Sequence, residues 1–373
     1  MDMMVVGLLV GGFILLVIGA EFLVRGASKV AAIFGISPLV IGLTVVAYGT
    51  STPELAVSLQ AGLSGNANIA VANVVGSNIF NVLFILGICA VIQPLVVAQQ
   101  LVRLDVPLMI GISVLILLLA LDGNFNWLDG LLLTAGIITY TTWAIRKSRQ
   151  ETAAVKAEYE QEYGAQIAPK HSALEVAKQA VLILSGLGIL VLGARWLVDG
   201  SIALAQFLGV SDTIIGLTIV AAGTSLPELA TSIVATIRGE RDIAIGNVVG
   251  SNIYNLLAIL GIAGLFTPGG LIVAPAMLAF DIPVMLAVAI ACLPIFFSGY
   301  TIARWEGVVF FGSYLAYTAY LILDAAQHDA LPMYSNVMLF FVLPLVALTL
   351  VVVGVRALRA QHRQPTASLS NVG

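Results

Sequence analysis

Glu54 is the only charged residue between Lys29 and Arg103, and Glu228 is the only one between Asp212 and Arg238. Each sits near the middle of a long apolar stretch. A carboxylate at the centre of a bilayer is costly, so it is expected to face the interior of a helix bundle and to serve function. A structural glutamate tied to a neighbouring helix is the plainer alternative, yet no Lys or Arg lies at comparable depth to pair with either. Ala47, Thr50, Ser51 and Glu54 follow an i, i+3, i+4, i+7 spacing that puts them on one helical face, and Ala221, Thr224, Ser225 and Glu228 repeat it. Pro53 and Pro227 stand just before the two glutamates. Inside a helix a proline has no N–H to give and clashes with the carbonyl four residues back, so the carbonyls of Gly49 and Gly223 are expected to lose their partners at a kink. Carbonyls, hydroxyls and a carboxylate then converge, and an all-oxygen set of this kind suits hard cations. A proline kink relieved by Thr and Ser hydroxyls would explain one such motif; it is a weak account of two.

Downstream, each copy carries a second polar set: Gly76, Ser77, Asn78 and Asn81, then Gly250, Ser251, Asn252 and Asn255. Ser77 and Asn81 are i, i+4 neighbours, as are Ser251 and Asn255, and offer a hydroxyl and an amide oxygen to the same face. The glycines permit close approach of helices. Packing accounts for the Gly-Ser pairs, but two buried asparagines per copy are costly without partners. Asn81 and Asn255 are therefore assigned to the cavity, with Asn78 and Asn252 in support around it. Two opposing carboxylates supply a formal −2, which neutralises one divalent cation or is more than matched by several monovalent ones. Calcium accepts roughly six to eight flexible oxygen ligands whereas magnesium resists dehydration, so Ca²⁺ against Na⁺ is the natural pair. Protons stay open on these grounds, because a midplane glutamate can also titrate.

The elements that position these residues must cross a membrane. Of 373 residues 60% are hydrophobic and 10% charged, against roughly 45–50% and about 25% in an average globular chain, and the mean hydropathy is +1.05. A water-soluble core is excluded. Apolar runs of about 20 residues, each able to span ~30 Å of hydrocarbon, recur along the chain. Their breaks predict spans near 3–24, 36–62, 68–92, 104–122, 127–145, 175–198, 210–236, 242–266, 277–298, 304–323 and 335–357. Shifted by 174 residues, the sequence repeats: GLTVV…ILG at 42–87 and GLTIV…ILG at 216–261 agree at 29 of 46 positions, GAEFLVRG at 19–26 lies over GARWLVDG at 193–200, and after a two-residue insertion Asp105 falls on Asp281. The expected fold is thus an all-α polytopic membrane protein of about eleven helices. A first five-helix repeat occupies 1–145, a cytoplasmic linker 146–174, a second repeat 175–324, and an extra helix with a tail 325–373. An odd number of spans per copy turns the second copy upside down, which is inverted-repeat transporter architecture. With the N-terminus outside and the C-terminus in the cytoplasm, 15 of the 16 Lys and Arg fall on the cytoplasmic side, and only Arg195 disagrees.

With GTSTPELAVS, VVGSNIFN, GTSLPELATS and VVGSNIYN as its two motif pairs, the chain resembles the cation/Ca²⁺ exchanger superfamily, in its sodium/calcium exchanger branch of prokaryotic type, over ten helices from about residue 3 to 323. The resemblance implies an antiporter of the prokaryotic inner membrane that exchanges Na⁺ for Ca²⁺ by alternating access. The second, third, seventh and eighth helices would enclose the ions while the first and sixth slide across them. It also implies roles: Glu54 and Glu228 as shared Ca²⁺ and Na⁺ ligands, Thr50 and Thr224 binding through backbone carbonyls, Ala47 and Ala221 likewise at flanking Na⁺ sites, and Ser51, Ser225, Ser77 and Ser251 through hydroxyls. The H⁺/Ca²⁺ branch typically has Gly-Asn in place of Gly-Thr-Ser ahead of its glutamate, which this chain lacks. The potassium-dependent branch usually has an acidic residue where this chain has Asn255, so K⁺ independence is expected. Residues 146–174 are too few for the regulatory domains of animal exchangers.

A cation channel would use similar oxygens but more often builds its pore on an oligomer axis. A membrane hydrolase would need a nucleophile or a metal with an activated water, and no His-Glu or paired-Asp metal motif appears. No enzymatic activity, no cofactor beyond the transported ions, no nucleic acid and no obligate protein partner are expected. Cys89 and Cys292 fall in apolar segments and read as buried small side chains, while His171, His328 and His362 fall in loops or the tail without metal-ligand spacing.

Overall fold

The computed structural model describes residues 3–163 and 173–362. Among these, nine uninterrupted helices are long and apolar enough to cross a membrane: Met3–Phe34, Ala67–Ile92, Leu101–Asp122, Trp127–Ser148, Ala173–Phe207, Arg241–Phe266, Met277–Phe297, Arg304–Ala325 and Leu331–Val355. A further span is broken, its halves Pro38–Thr50 and Thr52–Leu63 meeting at 45°. Its mate in the second copy, 212–223 followed by Leu226–Ile237, completes eleven helices, called first to eleventh below in chain order.

The first and sixth helices, at 32 and 35 residues, outrun the expected ends at 24 and 198. At 1.5 Å per residue each is roughly 50 Å long, more than a ~30 Å hydrocarbon layer needs, so each must tilt or extend beyond it. The charges that marked their expected ends do not stop them, because they pair along the helix surface: Arg25 with Glu21 (2.5 Å) and Arg195 with Asp199 (4.0 Å). The two helices pack along their length at backbone distance. A Cβ placed on Gly19 would meet Leu190 N at 2.7 Å, and one on its mate Gly193 would meet Leu16 N at 2.8 Å. The fifth helix also passes its expected end at 145 and runs to Tyr163. That stretch is polar but rich in the helix formers Ala, Glu, Gln and Lys, and polarity ends a membrane span without ending a helix. Lys170, His171 and residues 363–373 lie outside the described residues.

At the centre, the third and eighth helices present Val71, Val74, Val75 and Ile79, and Ile245, Val248, Val249 and Ile253, to one continuous core. Large exposed apolar side chains such as Phe13, Ile14, Leu131, Leu132, Phe340 and Phe341 lie on the outer helices, as a lipid-facing surface requires. Two short antiparallel strand pairs, which periodicity did not reveal, tie the copies together: Leu95–Val96 with Thr301–Ile302, and Asn124–Phe125 with Leu271–Ile272. Cys89 and Cys292 are buried and unbridged.

Candidate functional site

Each glutamate sits in the first turn after a helix break. The chain departs from helical geometry at Ser51 (φ −83°, ψ 10°) and at Ser225 (φ −88°, ψ 9°), and new helices start at Thr52 and Leu226. The expected proline kink is therefore corrected to a clean break. Pro53 and Pro227 occupy the first turn of the new helix, where a missing N–H leaves nothing unpaired. The polar faces of the third and eighth helices widen at a matching place: Asn81 opens a π turn over Asn81–Leu86, and Asn255 opens one over Asn255–Ile259. Such turns recur at functional sites.

The two copies then bond crosswise. Ser51 Oγ donates to Glu228 Oε1 (2.6 Å) and Ser225 Oγ to Glu54 Oε1 (2.9 Å), with Ser77 Oγ 3.1 Å from Ser225 Oγ. Asn81 Nδ2 donates to Asn252 Oδ1 and Asn255 Nδ2 to Asn78 Oδ1, both at 3.0 Å. Asn78 and Asn252 each donate to the other's backbone carbonyl at 3.3 Å. In this ring the donors are spent on asparagine neighbours, so the remaining acceptors of Asn81 and Asn255 are left over. Glu54 Oε2, Glu228 Oε2, Asn81 Oδ1, Asn255 Oδ1 and Ser251 Oγ are all buried without a partner. Leaving a buried acceptor unpaired costs roughly 1–3 kcal/mol each, more for a charged one, and a bound cation removes that cost. Among the described residues neither glutamate takes part in an ion pair, and pairs such as Glu21 with Arg25 and Arg238, or Arg195 with Asp199, lie elsewhere, so the two carboxylates keep their formal −2.

The structure brings Glu54, Glu228, Thr50, Ser51, Ser225, Ser77, Ser251, Asn81 and Asn255 together in the interior, with Ala47 buried beside them. Thr224 is only half-buried and Ala221 is exposed. Sequence reading passed over Asn73 and Asn247, whose side chains join this network. The signal was available: Asn73, Ser77 and Asn81 are spaced i, i+4, i+8, and the repeat preserves the set as Asn247, Ser251 and Asn255.

The difference between Ala47 and Ala221 is one of access. A Cβ on Gly250 would meet Leu43 O at 2.5 Å, because the first half of the second helix lies flat on the eighth. Its mate Gly76, expected to serve the same close approach, has nothing within 4 Å, and Ala72 one turn earlier is exposed. The segment 212–220 thus lies off the third helix, which this half of the broken span meets at Ala221–Gly223, and the covering of the site is more open on that side. On the closed side Glu21 binds both Arg25 and Arg238, and Ser28 Oγ donates to Glu240 Oε1 (3.0 Å).

Two inverted five-helix copies around a buried polar centre with two carboxylates define a polytopic transporter of the inverted-repeat class. The chain belongs to the sodium/calcium exchanger protein family, which matches residues 4–146 and 178–323, one segment for each copy. It is 34% identical over 338 residues to the sodium/calcium exchanger MaX1 of Methanosarcina acetivorans, covering 83% of this chain and 96% of that one. It is 37% identical over 282 residues to the putative antiporter CaxA of Alkalimonas amylolytica, covering 76% and 86%. Among solved structures, the sodium-calcium exchanger NCX_Mj soaked with 10 mM Na⁺ and zero Ca²⁺ superposes with a TM-score of 0.72 at 30% identity, over 86% of this chain and 99% of that one. The protein is accordingly a membrane cation/Ca²⁺ exchanger.

Proposed function

We propose that the protein exchanges Na⁺ for Ca²⁺ by alternating access, without K⁺ and without proton coupling. Glu54, Glu228, Thr50, Thr224, Ser51, Ser225, Ala47, Ala221, Ser77, Ser251, Asn81 and Asn255 line its ion path. The observation that carries this reading is the set of buried acceptors without donors at Glu54, Glu228, Asn81 and Asn255. Oxygens alone, with a formal −2, favour one Ca²⁺ or a small group of Na⁺ ions, and the flexible coordination of Ca²⁺ suits ligands drawn from four helices. The lysine and arginine bias favours an outside N-terminus, and the more loosely covered side of the chamber then faces outward.

Ca²⁺ uptake into sealed vesicles tests the reading. An outward Na⁺ gradient is expected to drive uptake, and replacing K⁺ with choline on both sides is expected to leave it intact. Uptake driven by a proton gradient alone would assign the chain to proton coupling. Uptake that needs no gradient would make it a channel.

A further inference from the structure

Asn73 and Asn247 hold the same three-way position in the two copies. Asn73 Nδ2 donates to the backbone carbonyl of Glu54 (3.2 Å) and to Ser58 Oγ (3.0 Å), while its Oδ1 accepts the hydroxyl of Thr224 from the opposite copy (3.3 Å). Asn247 Nδ2 donates to the backbone carbonyl of Glu228 (3.3 Å) and to Ser232 Oγ (2.9 Å), and its Oδ1 accepts the hydroxyl of Thr50 (3.1 Å). Each carboxamide therefore grips the helix turn just after the break in its own copy and the residue just before the break in the other. Thr50 and Thr224 each immediately precede a break, at Ser51 and at Ser225. Both ends of each amide are engaged with groups of the two copies, so Asn73 and Asn247 bridge the copies at the breaks that carry the glutamates.

We propose that Asn73 and Asn247 are positioning residues of the transport site, crosswise straps that set the spacing of the two glutamates by tying the helix break of one copy to that of the other. The proposal rests on the chamber being the ion site. Calcium needs oxygens from both copies at the same time and at short range, so it is the ion most sensitive to that spacing. A strap also transmits motion: a shift of the Glu54 turn is felt at Thr224, and a shift of the Glu228 turn at Thr50. The two straps are not equally enclosed. Asn247 is fully buried on the closed side, whereas Asn73 is half-buried beside the open face at Ala72 and Gly76.

The test is Ca²⁺ uptake and Ca²⁺ titration on the full-length protein with Asn73→Ala, Thr224→Val and the double variant. Asn73→Ala is expected to raise the Ca²⁺ concentration for half-maximal uptake by roughly three- to tenfold, the factor that a lost hydrogen bond of ordinary strength carries, with the maximal rate per folded molecule changing less. Thr224→Val, which keeps the side-chain volume and removes only the hydroxyl, should shift it in the same direction, and Thr224→Ser should recover most of that loss. The double variant should be little worse than Asn73→Ala alone, whereas Asn73→Ala combined with Thr50→Val, which breaks the other strap, should show the sum of the two effects. A lower folded yield with unchanged half-saturation would mean a purely structural role and overturn the proposal. If Asn73→Ala does not fold, Thr224→Val decides, and unchanged half-saturation there overturns it equally. Glu54→Gln separates the two levels. If it abolishes Ca²⁺ binding while the strap variants leave half-saturation untouched, the straps fail and the site stands. If it also leaves binding unchanged, the site itself fails.

Discussion

The amide of Asn255 is both donor and acceptor, and the donor end is committed to Asn78 Oδ1 at 3.0 Å. A carboxylate there would set acceptor against acceptor and add a charge that the chamber does not otherwise hold. With Glu54 and Glu228 alone, Ca²⁺ balances the site, and a co-bound K⁺ would leave a buried charge uncompensated at a cost of several kcal/mol. Asn255→Asp is therefore expected to make Ca²⁺ uptake sensitive to K⁺, while the unmodified protein is indifferent to it. Equal rates with and without K⁺ in that variant would contradict the charge argument. At this scale the sequence was largely readable. Glu54, Ser51, Ser77 and Asn81 are marked by residue type, depth and helical spacing, and each is duplicated. Asn73 and Asn247 were passed over although they extend the i, i+4 spacing of Ser77 with Asn81 and of Ser251 with Asn255 by one turn. Spacing within one helix does not give their partners, which stand on other helices, in part of the opposite copy.

Helices three and eight are mates by sequence but differ in what lies on them. Gly250 is covered by the backbone of the second helix, and Gly76 is bare. If the chamber opens alternately on its two sides, the segment 212–223 must settle on Gly76 as Leu43 now settles on Gly250. Gly76→Val should fold normally, since nothing lies within 4 Å of the added carbon, yet block closure and reduce exchange to near background. Gly250→Val forces the Leu43 backbone to move, and overpacking of this kind typically costs about 1–3 kcal/mol. Thermal unfolding together with vesicle flux separates the two, and full exchange by Gly76→Val would show that this seat is never used. Hydropathy located the spans within a few residues because lipid demands long apolar runs. It misjudged the ends of the first and sixth helices, where paired surface charges continue a helix out of the membrane. It also read the breaks at Ser51 and Ser225 as kinks and missed the π turns, both of which depend on backbone geometry rather than on side-chain type.

For the molecule as a whole, inversion is the property from which the rest follows: an odd number of spans per copy gives two half-sites of opposite orientation facing one chamber. Orientation in the membrane is tested separately. A tag at the N-terminus should be accessible from outside and one at the C-terminus only after permeabilisation, and both on one side would mean an even number of spans. The central claim is that a transported cation completes the unpartnered oxygens of Glu54, Glu228, Asn81 and Asn255. Calorimetric titration of Ca²⁺ into the purified, Na⁺-free protein tests this most directly. The unmodified protein is expected to bind Ca²⁺ in competition with Na⁺ and without regard to K⁺. Glu54→Gln and Glu228→Gln, each removing one formal charge at nearly constant size, should weaken that binding about a hundredfold or more while the protein stays folded. Binding by either folded variant within about twofold of the unmodified protein would contradict the account.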